Sequence, residues 1–141
     1  MWAWMACSSS PSVERVGFWF VTRLAKENAF ESGDFMMVPP NRVLRQDQQQ
    51  VVPDPLCLVW ACRRARSTAT TLFLVHTHIA QDARFSHIDE ATERRMAPHV
   101  MSLSGSRYFG AVVVAPSEYC ARLWRPEDVE LGTPTAIDIR D

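Results

Sequence analysis

Apolar and polar positions along this chain fall into blocks that predict alternating strands and helices. Residues 16–24 (VGFWFVTRL) are aromatic and β-branched, the pattern of a buried strand. Residues 34–38 and 42–44 predict shorter strands, with Pro39-Pro40-Asn41 between them, and residues 46–50 form a polar loop. At Asp54 the pattern changes. The aspartate can cap a helix, Pro55 suits the first helical position, and Leu56, Val59, Trp60 and Arg63 recur at helical spacing. Residues 70–78 (TTLFLVHTH) give the strongest strand signal, apolar up to a polar end, as in strands buried on both faces. A second helix is expected to start after Ser86 and run to about Pro98, and residues 109–115 (FGAVVVA) predict another buried strand. Strands alternating with helices predict a single α/β domain built on a central sheet.

Composition narrows the function classes. A chain of 141 residues has room for one domain with a core of its own. A formal net charge of -1 offers no electrostatic footprint for nucleic acid. Cys7, Cys57, Cys62 and Cys120 lie far apart with no C-x-x-C pair, which argues against a thiolate metal site and a disulfide framework and fits reduced thiols in a cytoplasmic protein. The opening MWAWMAC lacks a basic leader and is too short for a signal peptide. No apolar stretch approaches the ~18 residues of a membrane span. Three segments follow: an irregular start over residues 1–12, a domain over 13–124, and a polar, loosely packed tail over 125–141.

The chemistry gathers where the strongest strand meets the second helix. Alternate side chains of a strand share a face, so His76 and His78 present two imidazoles together. Ser86 is placed to cap the helix, with Asp89 in its first turn. Alone, His-x-His is an ordinary pair of polar side chains, and Ser86-His87-Ile88-Asp89 is an ordinary capping box. Together they bring two nitrogens and a carboxylate to one end of a sheet. Three protein ligands with a fourth position open to water is the arrangement of catalytic zinc, which lowers the pKa of that water toward neutrality.

The combined string, His-x-His, seven residues, Ser86, two residues, Asp89, resembles the metalloprotease signature of the JAMM (JAB1/MPN) family. The stretch LVHTHIAQDARFSHIDEA is most similar to the family's bacterial branch, and the resemblance covers about residues 13–124. It implies a mixed sheet flanked by helices, Zn2+ held by His76, His78 and Asp89, and hydrolysis of the isopeptide or peptide bond after the C-terminal tail of a ubiquitin-like protein. It also implies an oxyanion-stabilising role for Ser86 and a glutamate from an earlier strand as general base. Glu14-Arg15-Val16-Gly17-Phe18 is similar to the family's glutamate segment, which makes Glu14 the expected base. Activating and conjugating enzymes are the further partners that it implies. Two departures stand out: Ile79 replaces the family's usual proline after the second histidine, and only thirteen residues precede Glu14, where the family has a helix.

The remaining candidates are less suited. Glu27 and Glu31 fall in a loop after the first strand, and Glu90 turns away from Asp89 by a helical step of about 100°. His87 reads as a surface residue, His99 as a partner of the carbonyls at the end of the second helix, and Trp19, Trp60 and Trp124 as core. Three functions then compete: a zinc isopeptidase, a catalytically inactive JAMM-like module that binds a ubiquitin-like or other partner, and a different zinc hydrolase. Amidohydrolase barrels need about 250 residues, and zinc deaminases need an H-x-E with P-C-x-x-C that is not present.

Overall fold

The computed structural model describes residues 15–24, 29–46, 51–78, 83–116 and 118–140. Glu14, Glu27, Ile79 and the first twelve residues lie outside them. An eight-stranded mixed sheet runs in the order β10-β2-β1-β6-β7-β8-β9, with β3 also paired to β1. Its central strands are β1 (Val16–Leu24), β6 (Thr71–Thr77), β7 (Phe109–Val114) and β8 (Tyr119–Trp124). β1 lies antiparallel to β6, β6 parallel to β7, and β7 antiparallel to β8. The short outer strands are β2 (Ala29–Glu31), which lies between β1 and β10, β3 (Phe35–Met37), β9 (Thr135–Ile137) and β10 (Ile139–Arg140), with β9 and β10 at the two ends of the order, while β4 (Val43–Gln46) and β5 (Val51–Pro53) make a separate hairpin. Between β2 and β3, Gly33 passes so close over β1 that a Cβ there would sit 2.2 Å from the Phe20 carbonyl oxygen, which excludes any larger residue.

Three helices accompany the sheet among the described residues: α1 (Pro55–Thr68), α2 (His87–Ser104) and α3 (Pro126–Leu131). Helix α1 starts as its sequence predicts, with the Asp54 side chain accepting from the Leu56 amide and Pro55 inside the first turn. Ala61, Cys62 and Ala65 of α1 and Ala97 and Val100 of α2 pack on one sheet face against Val16, Phe18, Phe20, Leu72, Leu74, Phe109 and Trp124. Burial pushes the Cys62 thiol up to about 11. The opposite face carries Trp19, Val21, Phe73, Val75, Val112 and Leu123, and the sheet curls so that Phe30 of β2 and Ile139 of β10 join them. Because both faces of β6 are covered, its sequence is a continuous apolar run.

The structure corrects four expectations. Helix α2 continues six residues beyond Pro98 to Ser104. Proline removes one amide donor, but Pro98 is exposed, so water can serve the orphaned carbonyl while Ala97, Val100 and Ser104 stay buried on the inner face. Residues 125–141 are not a loose tail: they supply α3 and the two strands β9 and β10 that extend the sheet. Arg94 of α2 fastens α3 by donating to the Val129 and Glu130 carbonyls at 2.9 and 3.1 Å. Trp60 is not core but 48% exposed, with the Arg64 guanidinium 5.7 Å from its ring. Glu31 ends strand β2 rather than lying in a loop.

Candidate metal centre

His76 and His78 sit at the C-terminal end of β6 and just past it, on the helix-bearing side of the sheet. The strand is held at this end from both sides. The Thr77 amide donates to the Arg15 carbonyl at 2.9 Å, the Thr77 hydroxyl accepts from the Arg15 amide at 2.8 Å, and the His78 amide donates to the Val114 carbonyl at 2.8 Å. Alternation along the strand then aims both imidazoles at the start of α2.

There the sequence closes a capping box. The Asp89 amide donates to the Ser86 hydroxyl at 3.1 Å, and the Asp89 carboxylate accepts from the Ser86 amide at 2.8 Å through Oδ2. The same carboxylate faces both rings, with Oδ1 3.3 Å from His76 Nε2 and Oδ2 3.4 Å from His78 Nε2. The two Nε2 atoms are 3.2 Å apart. Burial works against the charge on Asp89, but hydrogen bonds from His76 and His78, with the Ser86 amide, hold its carboxyl well below the usual carboxylate range. It is therefore an anion at any ordinary pH.

Three donor atoms of two kinds thus converge in a half-buried recess, and this group could hold a metal ion. Sequence reasoning named all three residues, and the structure brings them together. It places Ser86, exposed, at the rim of the same recess. His87 is exposed, as expected; His99 is exposed too, but α2 runs five residues past it, so it does not stand at the helix end. Glu14, the expected base, lies outside the described residues, but Arg15 beside it is hydrogen-bonded to Thr77, and Val16 stands opposite His76 in the ladder. No family model matches this chain, and no curated protein matches it.

Behind the triad stands a group that the sequence did not reveal. Glu93, one turn after Asp89 on α2, is 2% exposed and accepts two hydrogen bonds from Arg122 at 2.8 Å each and one from the Trp124 indole at 2.9 Å. The Arg122 guanidinium lies 3.6 Å above the Phe85 ring, and Phe85 meets the His76 imidazole edge-on at 6.3 Å between centroids. This clamp ties the start of α2 to β8 and closes one wall of the recess. Its only sequence signal was a charged residue at the inward spacing of a helix, four after Asp89. The loop before Ser86 is pinned as well, through the Ala83 amide donating to Glu118 at 2.9 Å.

Purified protein should carry about one divalent cation per chain, removable by a chelator, and Asp89→Ala should abolish its retention. Metal analysis of a His76→Ala, His78→Ala double variant checks the assignment: stoichiometric metal retained there would place the ion elsewhere.

Proposed function

We propose that this chain is a zinc-dependent hydrolase of the JAMM type. Its expected reaction is cleavage of the isopeptide or peptide bond after the C-terminal tail of a ubiquitin-like protein. The observation that carries the proposal is the triad of His76, His78 and Asp89. A tetrahedral zinc with bonds of about 2.0–2.2 Å separates neighbouring ligand atoms by roughly 3.3–3.6 Å. The two Nε2 atoms are 3.2 Å apart, close to that spacing, and each lies 3.3 or 3.4 Å from its own Asp89 oxygen, Oδ1 for His76 and Oδ2 for His78, so the carboxylate reaches both rings. Two imidazoles also disfavour magnesium and calcium, which take oxygen ligands. A mixed sheet with helices packed against it is compatible with this reading, and the whole signature string is present.

Bound at the triad, zinc supplies a Lewis acid and a water of lowered pKa. The chain's own groups would do the rest. Glu14 accepts a proton from the attacking water and passes it to the leaving nitrogen as the C–N bond breaks. Ser86 spends an oxygen lone pair on the Asp89 amide, so its hydroxyl hydrogen is left to donate to the carbonyl oxygen as negative charge gathers there. The Asp89 carboxylate offsets the cation's charge.

The substrate class is tested with a ubiquitin-like protein carrying a short C-terminal extension, and with its lysine conjugate. Mass spectrometry should find a single cut after the last residue of the tail. Cuts scattered through unfolded protein, with no preference for such tails, would mark a general peptidase instead.

A further inference from the structure

At the end of the sheet away from the triad lies an open cavity of about 650 Å³ lined by four arginines: Arg23, Arg66, Arg107 and Arg125. They come from four separate segments: the end of β1, the last turn of α1, the loop after α2 and the residue that opens α3. Thr71 of β6 lines this cavity, and His76 lies five residues along the same strand, roughly 16 Å away at the usual rise. The cavity is therefore separate from the metal centre.

Arg125 is committed, pairing with Asp128 through Nε at 2.9 Å and a terminal nitrogen at 3.1 Å. Glu127, the one acidic residue of the lining, lies 3.6 Å from the same guanidinium. Arg23, Arg66 and Arg107 pair with no carboxylate among the described residues. Arg23 is steadied by the Tyr108 ring, 4.8 Å from its centroid, and the Arg66 arm lies along Gly105, where an added Cβ would meet its Cγ, Nε and Cζ at 3.8 Å each. The carbonyl end of α1 explains a cation at Arg66, but Arg23 and Arg107 are on no helix. Three uncompensated charges around one concavity repel one another and reinforce one field.

The floor adds a second observation. Thr71 is 5% exposed and lines the cavity, and its hydroxyl has no hydrogen-bond partner among the described residues. Buried hydroxyls are almost always partnered, so the partner belongs to whatever fills the cavity. Water would serve the hydroxyl but not the three guanidinium charges. Planar guanidinium forks match phosphate oxygens, and a space of this size exceeds the needs of a single phosphate.

The geometry points to a binding site for a small molecule bearing two or more phosphoryl groups, held by Arg23, Arg66 and Arg107 with Thr71 at its floor. Calorimetric titration of the full chain with sodium tripolyphosphate tests it. Saturable one-to-one binding is expected. An Arg66→Ala, Arg107→Ala double variant, altered only at exposed positions, should bind at least ~10-fold more weakly. Arg63→Ala, an exposed arginine of α1 outside the cavity, should bind as the unmodified chain does. Any withdrawal of metal from the triad affects all three proteins alike, so their differences read the cavity alone. Adenosine triphosphate binding as tightly as tripolyphosphate would assign recognition to the phosphoryl groups of a free inorganic chain and a nucleotide equally, while tighter binding would favour the nucleotide source. Absence of saturable binding, or equal binding by the double variant, overturns the site. So does tighter binding of single-stranded DNA that tripolyphosphate fails to displace, since the cavity would then serve a nucleic acid.

Discussion

Turnover of a ubiquitin-like substrate should fall by ~10²–10⁴-fold in Glu14→Gln, with metal content and thermal stability unchanged. Glutamine keeps the size of the side chain and loses the proton-accepting charge. A general base acts on the water and not on the metal, so its loss leaves the triad of His76, His78 and Asp89 complete. Glu14 lies outside the described residues, which begin at its neighbour Arg15. Arg15 exchanges two hydrogen bonds with Thr77, and Val16 stands opposite His76, so β1 enters the sheet at the end where the triad lies. Glu31→Gln should change the rate little, since Glu31 sits at the other end of β1, paired with Thr22. Near-normal turnover in Glu14→Gln would show that a different carboxylate moves the proton. A chain that binds zinc and a ubiquitin-like protein but never cleaves it would instead be a binding module.

The second large effect is on stability. Glu93→Ala should cost about 3–5 kcal/mol, the usual consequence of removing one partner of a buried ion pair. The loss has three parts: Arg122 keeps a charge with a side chain only 11% exposed, the Trp124 indole loses its acceptor, and a void opens beneath α2. For a domain of this length the melting temperature should drop on the order of 10–15 °C. Replacing both partners, as Glu93→Met with Arg122→Met, should recover most of it, because an apolar pair strands no charge. Thermal unfolding of the single and double variants measures both. A single-variant loss below about 1 kcal/mol would mean that water reaches Arg122 and that the clamp is not dry.

The parts of this molecule legible in its sequence are those decided by local physics. Asp54-Pro55 opens a helix because the cap and the fixed proline angle act within one turn. The run at residues 71–77 reads as a strand because both its faces are buried, and the capping box put Asp89 where two histidines two residues apart could meet it. Contacts between distant segments were not legible. Nothing near Thr135 or Ile139 marks a short edge strand whose partners lie far back in the chain, at Leu123 and Phe30. The pairing of Glu93 with Arg122 spans 29 residues, and the arginine-lined cavity draws on four segments. Trp60 was misjudged because an aromatic at helical spacing is usually buried, whereas Cys62 and Ala65 fill the inner face of α1 and leave the indole outside.

Asp89 closes the first turn of α2 and faces both imidazoles with the same two oxygens. The folding of a single helical turn therefore does in advance what capture of a cation would otherwise have to do. Fixing one mobile side chain on association costs about 0.5–1.5 kcal/mol, and here that entropy is lost when the helix forms, before any ion arrives. A cation bound there would meet a carboxylate already held by the helix cap. Choice among ions would then be a property of the helix as much as of the donor atoms.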